Sequence, residues 1–310
     1  MSDMPLVSVL IGTRNRPEPV IRCLESVLDN DHPLLEVLIL DDCSEDITVC
    51  DILTRHFSHP SITCFRGERQ LGVAGGRNLL MQEATGDIFV FIDDDAAFAT
   101  ETAITQSIDL LGRHPDVGIL SFKVINHEGG DVRLRTPFTR LTRRRDPHVH
   151  ERQQRVSYYL GTAHAIRREL IERCGPYQEN LLFGEEELDL SYRAIRAGYE
   201  ILYVPSISAH HYPQASVIEG ERTSQPLTEL ELHIRNRIWL AYKHLPLPHL
   251  LTSLSVWLTF YGIQAVRETN LRAYVRGLLA GWGGLRGLSR LPLRGEALAY
   301  LRKNHGRLWY

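Results

Sequence analysis

The sequence predicts an α/β fold, a Rossmann-like and mainly parallel sheet flanked by helices, with a helical extension at the C-terminus. Three observations carry this expectation. Short apolar runs alternate with helix-length segments through the first 120 residues, the pattern of repeated βαβ units. Polar clusters follow those runs, at the strand ends where open sheets place ligands. The last third is helical in pattern, broken by Pro246 and Pro248.

Leu6–Ile11 is the first apolar run, closed by Gly12, and Pro17 marks the start of a helix to about Leu28. Glu36–Leu40 is the second strand and ends in Asp41-Asp42. Ser44 is placed to cap a helix reaching about Phe57. Ile62–Phe65 is the third strand and Ala74–Ala84 a helix. Ile88–Ile92 is a continuous apolar strand of the fully buried kind. Thr100 or Thr102 opens a helix to Leu111, ahead of a fifth strand at Val117–Phe122. The run HEGGD predicts a hairpin turn. Residues 135–155, rich in Arg and His, read as a long loop, and Tyr158–Arg167 as a strand pair. Asn180–Gly198 holds an acidic cluster leading into a helix closed by Gly198. Glu200–Val204 and Ile207–His210 are short strands, and Leu227–His244 is an amphipathic helix. This organisation predicts an α/β domain over residues 1–220 and a helical extension over 221–310.

Composition narrows the classes. The chain has 310 residues, 43% apolar and 24% charged, which excludes disordered, collagenous and coiled-coil chains. Thirty-five Lys and Arg against 38 acids leave a net charge of −3, so no nucleic-acid partner is expected. Five cysteines without a CxxC pair predict neither a disulfide framework nor a zinc site, and fit a reducing cytosol. The N-terminus lacks the pattern of a secretory signal. Leu247–Val266 carries no Asp, Glu, Lys or Arg and is long enough to span a membrane, yet weak in hydropathy. From Arg267 to Tyr310, nine Lys or Arg stand against two acids. Two readings of that tail stay open: peripheral contact with an anionic membrane, or helices covering the sheet with arginines in solvent.

The strongest chemical signal is FIDDDA, Phe91–Ala96. Three consecutive carboxylates after a buried strand raise one another's pKa unless a cation sits with them. Oxygen ligands of this kind suit Mg2+ or Mn2+, which also bridge to phosphate oxygens. Asp41-Asp42 is placed either to accept from a ribose or base or to cap the following helix. In LGVAGGRN, Leu71–Asn78, glycines such as Gly72 permit close backbone approach, and Arg77 is placed to meet a phosphate or an acid. FGEEELDLSYR sets Glu185, Glu186, Glu187 and Asp189 at a helix start, more acids than capping requires, and a carboxylate there suits a general base. His210-His211, downstream of these acids, is a candidate ligand pair.

Read in order, these segments resemble the family 2 glycosyltransferases, which have the GT-A fold. LVSVLIGTRNRPEPVIRCLESVL is similar to the family's opening strand, turn and first helix, and LDDCSED to its second-strand acid motif. LGVAGGRNLLMQEATGDIFVFIDDDA resembles the glycine-Arg-Asn segment running into the DxD motif. GTAHAIRRELIERCGPYQENLLFGEEELDLSYRAIRAGYEILYVP resembles the acceptor-side segment with its Glu-Asp motif. The resemblance covers about residues 6 to 216, and the basic tail resembles those of bacterial members that extend surface polysaccharides.

The resemblance implies an inverting enzyme that moves a sugar from a UDP- or dTDP-sugar to a hydroxyl of a glycan or lipid-linked acceptor. Thr13, Asn15 and Asp42 would contact the nucleotide, and Arg77 would order the site. Asp95 would be the principal metal ligand, with Asp93 near the ribose or metal and Asp94 in the variable position. Glu187 falls on the general base, with Glu186 and Asp189 beside it; the family's usual residue there is Asp. His211 falls on the downstream metal histidine, with His210 its competitor. Arg14 stands where the family often has an aromatic residue. Two rivals accompany this reading: a sugar-1-phosphate nucleotidyltransferase, suggested by GTRNRP, and a catalytically inactive membrane-bound scaffold.

Overall fold

The computed structural model describes residues 4–45, 49–213, 228–306 and 308. The first units are β1 (Val7–Thr13), α1 (Pro17–Leu28), β2 (Leu35–Asp41), α2 (Val49–His56), β3 (Ile62–Arg66) and α3 (Gly72–Glu83). Then come β4 (Ile88–Ile92), β5 (Ala96–Phe98), α4 (Ala103–Arg113), β6 (Val117–Glu128), β7 (Asp131–Arg135) and α5 (Arg140–Arg145). β8 (Gln154–Val156), β9 (Ala163–Arg167), α6 (Arg168–Cys174), α7 (Glu186–Arg196) and β10 (Glu200–His211) complete the sheet region. The remaining helices are α8 (Glu229–His244), α9 (Leu247–Arg267), α10 (Leu271–Gly283) and α11 (Gly295–Lys303).

All ten strands join one sheet in the order β3-β2-β1-β4-β9-β6-β10-β5, with β7 on β6 and β8 on β10. β1 pairs in parallel with both β2 and β4, which puts a topological switch point beside its carboxyl end. Alternation along the strands sorts the core into two layers. Val7, Val9 and Ile11 face α1, α2 and α4, whereas Leu10, Phe89 and Phe91 face α3, α6 and α7. Leu230, Ile234 and Ile238 of α8 belong to that second layer, so the C-terminal helices share a core with the sheet. The expected boundary at 220/221 lies outside the described residues.

Five expectations need correction. The sheet is mixed, because β9 enters antiparallel between β4 and β6. Residues 158–162 form no strand; only Ala163–Arg167 pairs. The expected loop at 135–155 holds α5, whose first turn is capped by the Thr139 hydroxyl accepting from Thr142 N, and β8, which pairs with β10. The two strands expected at 200–210 are one strand with an irregularity between Val204 and Ser208. Cys50 and Cys64 form a disulfide that the odd cysteine count argued against. α2 packs beside β3, which sets their Cα atoms 5.4 Å apart, and a separation of 14 residues carries no local signal of that. No described helix is long and apolar enough to cross a membrane.

Asp189 ties α7 to the C-terminal helices. Its side chain is fully buried; Oδ1 accepts from Lys243 Nζ (2.7 Å) and His244 Nε2 (2.8 Å), and Oδ2 from Arg193 Nε (2.7 Å). Burial holds His244 down at about 4, so it is neutral at pH 7 and accepts at Nδ1 from Arg196 (2.8 Å). Asp189 outweighs its own burial through His244, Arg193 and Lys243, which hold its carboxyl far below the usual range. Its contribution is therefore present above the unfolded pKa of about 4 and fades as pH falls below it. Asp189→Ala is expected to cost about 3–5 kcal/mol at pH 7, because three donors lose their buried partner. Urea denaturation of both proteins should show that gap narrowing below about pH 4.

Candidate active site

The switch point collects the acids. β4 ends at Ile92, and Asp93, Asp94 and Asp95 follow where the sheet opens. The backbone there is pinned on both sides: Asp93 N donates to Thr162 O (2.9 Å), and Tyr212 N donates to Asp95 O (2.8 Å). Strand register then delivers the histidine. His211 of β10 lies opposite Ala96 of β5 and beside Asn126 of β6. Asp93, Asp95 and His211 offer ligand atoms that all lie within 4.8 Å of one another. His211 Nδ1 donates to Asn126 Oδ1 (2.6 Å), which turns Nε2 toward Asp95 Oδ1 at 3.2 Å. Two carboxylates and an imidazole oriented from behind are a donor set that fits Mn2+ or Mg2+.

Asp94 points elsewhere. It accepts from the Thr13 hydroxyl (2.8 Å) and pairs with Arg16 (3.1 Å), which also reaches Asp95 (3.0 Å). Burial pushes the Asp94 carboxyl up to about 7 against the pull of Arg16. The neighbouring rim is hydrogen-bonded internally. Asn15, at φ 56°, accepts from Glu45 N (2.8 Å) and donates its own N–H to Ser44 Oγ (2.9 Å). Asp42 accepts from Leu71 N (2.7 Å) and Gly72 N (2.9 Å), binding the end of β2 to the start of α3. Asp41, not Ser44, holds the first N–H of α2, accepting from Val49 N at 2.9 Å.

Arg77 of α3 joins the two halves of the site. Its guanidinium donates to Glu187 Oε1 (3.1 Å), to Asp93 Oδ1 (3.3 Å) and to Gly161 O (3.0 Å). Glu186 is farther away, at 3.9 Å, and its Oε2 is buried without a partner. Burial and the neighbouring Glu187 push Glu186 up to about 8, so it keeps its proton at neutral pH. Behind Arg77 lies a polar relay in the core. His164, stacked on Phe91 at 4.8 Å, is held neutral by burial. It donates from Nδ1 to Gly161 O (3.1 Å) and accepts at Nε2 from the Tyr177 hydroxyl (3.1 Å), which accepts from Tyr159 (3.0 Å).

The acidic loop before α7 is unusual backbone. Leu182, Gly184 and Glu185 all have positive φ, between 61° and 74°. Such conformations persist only when neighbours over-determine them. Asn236 of α8 supplies that constraint by donating to the carbonyls of Leu181, Phe183 and Gly184 at 2.9–3.0 Å. Arg235 reaches the carbonyls of Asn180 and Leu181, and Arg237 pairs with Glu185 at 2.8 Å.

Residues 8–175 match the sequence model of glycosyl transferase family 2. The chain belongs to this family. The glycosyltransferase AglE of Haloferax volcanii is 25% identical over 222 residues, covering 68% of this chain and 68% of that one. The structure of GalNAc-T7 with UDP, GalNAc and Mn2+ is similar at a TM-score of 0.61 and 19% identity, covering 77% of this chain and 51% of that one. The mannosyltransferase PcManGT of Pyrobaculum calidifontis, in complex with GDP-Man and Mn2+, is similar at 0.54 and 21%, covering 97% and 75%. The sheet is of the GT-A type, and this family 2 member is an enzyme that transfers sugar. The nucleotidyltransferase and inactive-scaffold readings give way to it.

Within the family 2 frame, the structure brings Asp93, Asp95, His211, Arg77, Glu186 and Glu187 together, with Thr13, Asp94 and Asn15 on the rim. It does not bring in His210, whose Nδ1 lies 2.8 Å from His127 Nε2, because adjacent residues of a strand face opposite sides. Nor does it bring in Asp189, which is committed to α8. Arg16, Asn126, Gly161, His164, Tyr159 and Tyr177 escaped the sequence reading. Arg16 lies in the GTRNRP turn, and Gly161, His164 and Tyr177 in the segment that begins GTAHAIRR, all noted without these roles.

Two predictions follow from this geometry. A Cβ on Gly161 would meet Glu187 Oε1 at 1.8 Å. Gly161→Ala is therefore expected to displace Glu187 from Arg77 and to lower transfer about a hundredfold, measured as product formation at saturating donor. Asn126→Ala frees the His211 ring, and Mn2+ titration should show affinity reduced about tenfold to a hundredfold.

Proposed function

We propose that this enzyme is an inverting, divalent-metal-dependent transferase. It moves a sugar from a UDP- or dTDP-sugar to a hydroxyl of a glycan or lipid-linked acceptor. The observation that carries the reading is Arg77, which holds Asp93 of the metal cluster and Glu187 in one guanidinium. A donor-side cluster and a carboxylate base thereby flank a single crevice. Asp93, Asp95 and His211 would hold the cation, which when bound neutralises the diphosphate charge as the nucleotide leaves.

The protein's own residues supply the remainder. Glu187, paired with Arg77 at 3.1 Å, accepts the proton of the acceptor hydroxyl. The hydroxyl oxygen forms its bond to the anomeric carbon as the bond to the diphosphate oxygen breaks on the opposite face. One displacement without an enzyme nucleophile inverts the configuration. Glu186, protonated at neutral pH, is suited to donate a hydrogen bond rather than to take the proton. Thr13, Asn15, Asp42 and Gly72 rim the nucleotide side of the crevice. The UDP and Mn2+ in the GalNAc-T7 structure support a uridine donor.

Calorimetry with UDP and with dTDP, in Mn2+ and in EDTA, tests the donor half. Binding is expected in Mn2+, lost in EDTA and lost in Asp95→Ala; binding that ignores both the chelator and the substitution would overturn the metal assignment. For the base, Glu187→Gln is expected to lower transfer at least about a hundredfold while nucleotide binding persists, and proton NMR of the product should show the inverted anomeric configuration.

A further inference from the structure

The C-terminal helices present an inverted amphipathic face. On α10, Ala273, Gly277 and Gly281 are buried, and a Cβ on Gly277 or Gly281 would strike Ile234 or Ile238 of α8 at 2.9 and 2.5 Å. The bulky apolar residues point outward instead: Leu271, Val275, Leu279 and Trp282 are 52–67% exposed. A helix that merely covers a core does the reverse. On α9, Phe260, Ile263 and Val266 are exposed in the same way. Between the two helices runs an apolar groove of about 790 Å³, with Arg267 at its lining. An exposed patch of this kind marks an interaction surface.

We propose that this α9–α10 face docks on the surface of an anionic phospholipid bilayer. Charge selects that occupant. Leu247–Val266 contains no charged residue, and the segment after it carries nine Lys or Arg against two acids. Arg267, Arg272 and Arg286 are exposed around the apolar face and have no ion-pair partner among the described residues. Apolar bulk, a tryptophan and flanking arginines are the composition of helices that lie in the headgroup region. A second copy meeting this face across a twofold axis would bring the two arginine rims together, like charge against like. No described helix crosses a membrane, so contact is lateral. The proposal goes beyond the transfer reading and needs neither donor nor metal.

Co-sedimentation of the full chain tests it, with vesicles of equal parts phosphatidylglycerol and phosphatidylcholine beside vesicles of phosphatidylcholine alone. Binding to the anionic vesicles is expected, weakened by added salt and much lower on the zwitterionic ones. Phe260→Glu with Leu279→Glu should reduce binding at least about tenfold, and Arg272→Glu with Arg286→Glu at least about fivefold. Val132→Glu, on the exposed side of β7, should leave it unchanged. All of these side chains are exposed, and unchanged thermal midpoints confirm folding. Wild-type protein that stays off anionic vesicles overturns the proposal. So does undiminished binding of the Phe260/Leu279 variant. A concentration-dependent dimer that Leu279→Glu dissociates, with no vesicle binding, would assign the face to a second copy instead.

Discussion

The buried guanidinium of Arg77 is the interaction on which the site depends. Asp93 and Glu187 belong to segments far apart in sequence, and both would repel the other acids of the crevice if left alone. One cation between them makes the arrangement stable without a ligand. The remaining wall is built around that cation. Gly161 has no side chain because a methyl group would occupy the place of Glu187. The Tyr159–Tyr177–His164 relay ends on the same Gly161 carbonyl that Arg77 uses, so a neutral buried network fixes the height of the charge above the sheet.

The Asp93–Asp95–His211 cluster is ordered by backbone before it is ordered by side chains. Asp93 and Asp95 hang from a turn that hydrogen-bonds to Thr162 on one side and Tyr212 on the other. Their separation is set by the sheet. Asn126 then selects the histidine tautomer that faces the acids. Preorganisation of this kind matters where charge develops late in a reaction, because little reorganisation remains to be done.

α8 couples the outside of the molecule to the chemistry. Its Asn236 and Arg235 grip the loop that enters α7, its Arg237 holds Glu185, and its Lys243 and His244 hold Asp189. The opposite surface of the same helix receives the small residues of α10. Because α10 packs its glycines inward, it sits close to α8 and turns its large apolar side chains to the outside. A contact on that face therefore bears on a helix that also holds the loop entering α7.

Much of this was legible in the chain. The IFVFI strand followed by three acids declares a buried strand and the place where acids gather at its end, because a continuous apolar run and a block of carboxylates are both local features. The order of the motifs declares the family. Pairing across distance was not legible. Whether His210 or His211 meets the acids depends on the register of β10 against β5 and β6, and one residue of slip reverses the answer. Asp189 looks like its acidic neighbours in sequence, and only the packing of α8 against α7 makes it a buried anchor. The antiparallel insertion of β9, the Cys50–Cys64 bridge and the Gly161 contact are likewise products of long-range packing. The sequence by itself determined the local elements and the chemistry available at each strand end, because periodicity and residue type are local properties. Only the tertiary structure decided which of those groups meet, because register, helix packing and burial bring together residues that share no local signal.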